Sequence, residues 1–147
     1  MKKIAVINGP NMNWLGQRDT SLYGSKNLAQ LETKITDAVE KIGWGVICYQ
    51  SNSEGELINF IQDVSSDAAG FIINPAAYTH YSLALTDCLA ALEQPIIEVH
   101  FSNLSGREKS RQKMLTSREA EGVIMGLGEE GYFLAIEALR TILEGDK

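Results

Sequence analysis

Short runs of branched apolar residues recur along the chain, and they alternate with longer stretches whose apolar residues fall at helical spacing. IAVIN (Ile4–Asn8), GVICYQ (Gly45–Gln50), AGFIIN (Ala69–Asn74), PIIEV (Pro95–Val99) and GVIMG (Gly122–Gly126) read as buried strands. After the first, Leu28, Leu31, Ile35, Val39 and Ile42 mark one helical face, which Gly43 and Gly45 bring to a stop. Leu57, Ile58 and Ile61 mark a second helix, Leu83 to Leu92 a third, and Phe133 to Leu143 a last one. Strands that are apolar on both faces need cover on both faces. The alternation therefore predicts a parallel sheet between two helical layers.

Five such strands in 147 residues predict a flavodoxin-like doubly wound α/β sheet of order 2-1-3-4-5, folded as one domain over 1–147. The net charge of −6, with no basic cluster longer than Lys2-Lys3, weighs against nucleic acid as a partner. No apolar run reaches the length of a membrane span, and MKKIAVINGPN lacks the features of a signal peptide. Cys48 and Cys88 are too few for a disulfide framework and read as small buried hydrophobes. A cytoplasmic protein is the expectation.

In open α/β sheets the ligand lies beyond the C-terminal ends of the strands. Asn8, Asn11 and Asn13 follow the first strand, Asn74 and His80 the third, and His100, Ser102, Asn103, Arg107 and Arg111 the fourth. Both histidines of the chain fall on that edge, which favours a functional reading over a structural one. Asn8 and Asn13 equally suit turns. There is no Walker-A loop, no dinucleotide GxGxxG spacing and no G-x-S-x-G elbow, and two histidines some twenty residues apart are weak support for a metal site. The remaining groups suit proton transfer on an anionic, polyhydroxylated small molecule. The polar loop GQRDTSLYG, Gly16 to Gly24, sets Arg18 near Tyr23 in sequence. A phenol with a pKa near ~10 is ionised in only about one molecule in a thousand at neutral pH, and an adjacent cation favours the phenolate.

Seven motifs in register are similar to those of the type II 3-dehydroquinate dehydratases. They are NGPN (Asn8–Asn11), LG-x-R-x₄-YG (Leu15–Gly24), QSN-x-EGEL (Gln50–Leu57), INP-x-AYTH-x-S (Ile73–Ser82), P-x-IEVH-x-SN (Pro95–Asn103), R-x₃-R (Arg107–Arg111) and GVI-x-GLG-x₂-GY (Gly122–Tyr132). The resemblance implies dehydration of 3-dehydroquinate to 3-dehydroshikimate in the shikimate or quinate pathway, through an enolate and without metal or cofactor. It also implies a homo-oligomer, a dodecamer built from trimers.

By the same resemblance Tyr23 is the general base, with Arg18 on the lid that closes over it. His100 is the general acid and Glu98 orients it. Asn11 holds a water against the developing enolate oxygen. Asn74, His80 and Arg111 match substrate-binding positions, as do Phe101 and Ser102 for the substrate carboxylate. Asp87 matches a residue that reaches a neighbouring subunit's site.

The chain departs from the family's pattern in several places. The lid reads Arg18-Asp19-Thr20 where the family usually has a proline third, which implies a less restricted lid. Ala76 stands where a Gly is common, and the segment with Ser105, Ser110 and Met114 has less histidine and aromatic character than usual. Two other readings compete: a flavin- or nucleotide-binding module of the same fold, and a catalytically silent paralogue. The absence of Ser or Thr from NGPNMNWLG disfavours the first, and the presence of Arg18, Tyr23 and His100 disfavours the second.

Overall fold

The computed structural model describes residues 1–17 and 19–145. In chain order the elements are β1 (Lys3–Asn8), α1 (Thr20–Tyr23), α2 (Leu28–Lys41), β2 (Gly45–Gln50), α3 (Glu54–Val64), β3 (Gly70–Asn74), α4 (Leu83–Ala90), β4 (Ile96–His100), β5 (Gly122–Met125) and α5 (Glu130–Glu144). The five strands pair in parallel in the order β2-β1-β3-β4-β5, as the alternation of apolar runs predicts. Their register lines up Gln50, Asn8 and Asn74 in one polar row at the C-terminal edge.

Each strand sends alternate side chains to opposite faces, which produces two separate cores. Ile4, Val6, Ile72, Ile97 and Val99 pack with Leu31, Ile35 and Val39 of α2 and with Tyr132, Ala135 and Leu139 of α5. Ala5, Ile7, Phe71, Ile73 and Ile96 pack with Leu57 and Ile61 of α3 and with Leu85 and Leu89 of α4. The same alternation places Glu98 and His100, two residues apart on β4, on one face. β1, β3 and β4 are buried almost throughout, whereas the two edge strands are half-exposed.

Local chemistry sets the helix ends. Asn27 and Gln30 form a reciprocal capping box at the start of α2. At its end Gly43 adopts φ +79°, its N–H reaching Glu40 O and the N–H of Trp44 reaching Val39 O. This is a Schellman stop, and its left-handed residue is why a glycine sits there. Ser53 and Ser82 cap α3 and α4 through their hydroxyls.

Three details differ from the sequence reading. The segment Gly16–Gly24 contains a helical turn, α1, because the Asp19 carboxylate accepts from the Ser21 N–H and hydroxyl. β4 extends through His100, and α4 ends at Ala90 rather than Leu92. Among the described residues, no helix is long and apolar enough to cross a membrane.

Candidate active site

A cleft enclosing about 100 Å³ opens at the C-terminal edge of the sheet. The loop after β1 contributes Asn11, and α1 contributes Tyr23. The end of β3 and the turn after it contribute Asn74, Ala76 and His80. β4 and the segment beyond it contribute His100, Phe101, Ser102, Arg107 and Arg111. Eight of the residues selected from sequence thus share one wall-to-wall space although they come from four separate parts of the chain.

The loop after β1 can turn away from the sheet only because two positions tolerate unusual demands. A Cβ on Gly9 would stand 2.5 Å from the Pro75 carbonyl oxygen, so the close crossing of the loops after β1 and β3 requires glycine. Asn11 lies at φ +70°, a left-handed conformation that asparagine accepts more readily than most residues. Its N–H is held by Asn52 Oδ1 at 2.9 Å, which keeps the Asn11 side chain at the cleft.

Below the cleft floor a buried polar triad fixes Asn74. Tyr132, fully enclosed, donates to Asn8 Oδ1 at 2.5 Å and accepts from Asn74 Nδ2 at 3.0 Å, while Asn74 Oδ1 accepts from the Ala76 N–H at 3.1 Å. Burial pushes the Tyr132 phenol well above its ordinary range, so it remains a neutral donor. Asn8 is therefore a buried partner of Tyr132 rather than the turn residue its type suggested. Ala76 sits at φ +52°, a strained position for a residue with a Cβ.

His100 is held from behind. Its Nε2 lies 2.6 Å from Glu98 Oε2, and Glu98 is fully buried. A carboxylate only accepts, so Nε2 carries the proton and Nδ1 is the ring nitrogen left for the cleft. Glu98 does not itself line the cleft; it stands behind His100, where the resemblance places an orienting group. The second histidine is oriented by backbone: His80 Nδ1 donates to Lys113 O at 2.7 Å.

Arg107 was not assigned a role from sequence. Its Nη1 donates to Ser102 Oγ at 2.9 Å and reaches the Tyr23 hydroxyl at 3.4 Å. Its place after the fourth strand and its position within the R-x₃-R motif were the signals that could have found it; the contact itself spans 84 positions of sequence. Glu108 pairs with both arginines of the motif, at 3.6 Å to Arg107 and 3.1 Å to Arg111. The two arginines hold the Glu108 carboxyl below its ordinary range, after the larger effect of its own backbone N–H.

One selected residue lies elsewhere. Asp87 is exposed on α4 and does not line this chain's cleft. Arg18 lies outside the described residues. Among the described residues, no group of three His, Cys, Asp or Glu side chains is arranged to hold a metal ion.

Comparison with known proteins bears on the family and the fold. The sequence profile of the family described as dehydroquinase class II matches residues 2–140. A 3-dehydroquinate dehydratase from Clostridium perfringens is 48% identical over 140 residues, covering 95% of this chain and 97% of that protein. The type II dehydroquinase structure from Propionibacterium acnes superposes with a TM-score of 0.93 at 38% identity, over 96% of this chain and 97% of the other. The corresponding structure from Butyrivibrio crossotus gives 0.92 at 43% identity, over 95% and 97%.

Proposed function

The chain belongs to the class II dehydroquinase family, and on that premise we propose that it dehydrates 3-dehydroquinate to 3-dehydroshikimate in the shikimate pathway, with Tyr23 as base and His100 as acid. The observation that carries the reading is the joint presence of Tyr23 and His100 on one cleft, the imidazole anchored at 2.6 Å to a buried carboxylate.

The phenolate of Tyr23 takes the proton from C2, beside the ketone, and the C2 electron pair moves into the enolate. Asn11 holds a water against the enolate oxygen, whose charge is greater in the transition state than in the ground state. The enolate then collapses, the C1–O bond breaks, and His100 passes its Nδ1 proton to the departing oxygen, releasing water. Return of the proton from Tyr23 to His100 resets the site. Glu98 stabilises the imidazolium and fixes the ring that carries it.

Arg107 places positive charge beside the Tyr23 oxygen, which must carry the negative charge; Arg18, outside the described residues, has the family's lid role by resemblance alone. Ser102, positioned by Arg107, and the Phe101 backbone receive the substrate carboxylate. Asn74, His80 and Arg111 bind the remaining oxygen atoms.

The assembly belongs to the same proposal: a cytoplasmic homo-oligomer, a dodecamer of trimers, in which Asp87 completes a neighbour's site. The exposure of Asp87 beside exposed Tyr81 and Leu83 supports it. Incubation of purified protein with 3-dehydroquinate in chelator, followed by the ultraviolet absorbance of the conjugated product, tests the activity. Steady accumulation of the enone is expected; none from folded protein would overturn the proposal.

A further inference from the structure

Behind His100 the chain builds more than a single carboxylate. Glu98 Oε2 accepts from His100 Nε2 at 2.6 Å and from Thr79 Oγ1 at 2.9 Å. Thr116 Oγ1 lies 2.7 Å from both Glu98 Oε1 and Thr79 Oγ1; its single proton goes to the charged Oε1, the stronger acceptor. Thr79, Glu98 and Thr116 are fully buried. We infer that Thr116 is a positioning residue for the reaction, acting through Glu98 on the His100 imidazole.

Occupancy of the two carboxylate oxygens decides this. A carboxylate removed from water must find donors for both oxygens or lose far more than a neutral group would. Oε2 has two. Oε1 has Thr116, and among the described residues no other hydrogen bond to it is found. With Thr116 donating, the carboxylate is held at both ends and cannot rotate about its terminal bond. Its Oε2 then stays aimed at Nε2–H, and the ring stays in the orientation that presents Nδ1, protonated in the imidazolium, to the cleft. Without that donor the carboxylate gains a rotation, and one oxygen is left buried and unmet.

Thr116 is well placed for the task because its turn is tied to the site by backbone. The Leu115 N–H donates to Thr79 O at 2.6 Å, and two residues earlier Lys113 O receives the His80 Nδ1 proton at 2.7 Å. The segment 113–116 therefore touches the His80 imidazole directly, through the Lys113 carbonyl, and reaches the His100 imidazole only through Glu98.

This inference rests on the reading of His100 as the acid, and the test separates the two. Thr116→Val removes the hydroxyl at nearly constant shape; Thr116→Ser keeps it. With histidine ¹⁵N-labelled, the protein shows only two imidazoles, His80 and His100. Thr116→Val is expected to shift the low-field proton resonance on His100 Nε2 or lose it to exchange, to leave the His80 signals in place, and to lower kcat ~10-fold or more with little change in KM. Thr116→Ser is expected to restore both the resonance and kcat.

An unmoved His100 resonance, an unchanged kcat, or no recovery in Thr116→Ser would overturn the inference. So would His80 and His100 signals moving together, because that would mean the turn had collapsed rather than that one hydroxyl had been lost. If the parent protein failed to turn over 3-dehydroquinate, the proposed function would fall, and the imidazole signals would still decide the link from Thr116 to His100.

Discussion

Tyr132→Phe removes one oxygen from beneath the cleft floor. That hydroxyl serves two buried amides, donating to Asn8 Oδ1 and accepting from Asn74 Nδ2, and all three residues are at most 3% exposed. Asn8 is fully enclosed and cannot turn to water when it is lost, and Asn74, 3% exposed, meets water only through the cleft. Asn8 has little in reserve, since its Nδ2 already finds no hydrogen-bond partner among the described residues. A buried polar group left unmet costs about 1–3 kcal/mol, so two of them bring the expected loss to roughly 3 kcal/mol. For a chain of this length each kcal/mol corresponds to ~2–4 °C, and the expected fall in Tm is about 10 °C.

Urea unfolding at neutral pH and calorimetry measure the two quantities. The pH dependence adds a sign. The folded-state phenol is raised by burial, so its stabilising contribution is whole below the unfolded value near ~10 and declines as pH rises through the folded value. The Phe variant should lack that alkaline decline. KM for substrate should rise as well, since Asn74 loses a partner that fixes its amide. A stability loss below ~0.5 kcal/mol would refute the reasoning, because it would mean the amides had found other partners at no cost.

Three further perturbations follow from the same structure. Ala76→Gly relieves a φ of +52° that costs an alanine ~1–2 kcal/mol, set against the ~0.4–1 kcal/mol of chain entropy a glycine adds; a net gain of about 0.5 kcal/mol in urea unfolding is expected. Arg107→Ala removes the bonds to Ser102 and Tyr23, and the enone assay should show kcat/KM falling ~100-fold, with unfolding midpoints little changed. Burial works against Glu129, but Lys34 and Lys26 hold its carboxyl below the ordinary range. Glu129→Gln should therefore cost less than ~1 kcal/mol at neutral pH, and the difference from the parent should close as pH falls through that lowered folded value in a pH series of unfolding curves.

The fold was readable because its central strands are nearly pure apolar runs. Ile4 to Ile7 and Phe71 to Ile73 feed two cores by simple alternation, and that pattern fixes both the parallel pairing and the helical cover. The stop at Gly43 was readable for a local reason, one left-handed residue closing one helix. The helical turn at Thr20–Tyr23 was not, because a capping aspartate in a polar stretch looks like any loop.

At the site, the residues legible in sequence were those whose type and position on the strand edge matched a motif, such as His100 and Asn11. What escaped were the contacts made across the chain: Arg107 to Tyr23, Tyr132 to Asn8 over 124 positions, and Thr116 to Glu98. Asn8 shows the limit well. Its residue type suits a turn, and only the arrival of α5 shows that it is a buried acceptor. Thr116 carries no signal as a threonine, and Thr79 only its place in the INP-x-AYTH-x-S motif; both matter because each meets one oxygen of a buried carboxylate.

The most direct measurement is the steady-state rate of Tyr23→Phe beside the parent, on folded protein of matched oligomeric state. The variant keeps the ring and its packing and lacks only the oxygen that takes the C2 proton. A kcat lower by ~10³-fold or more with KM little changed is expected of a general base. A kcat within about threefold of the parent would mean that another group removes that proton, and the assignment of Tyr23 would fail.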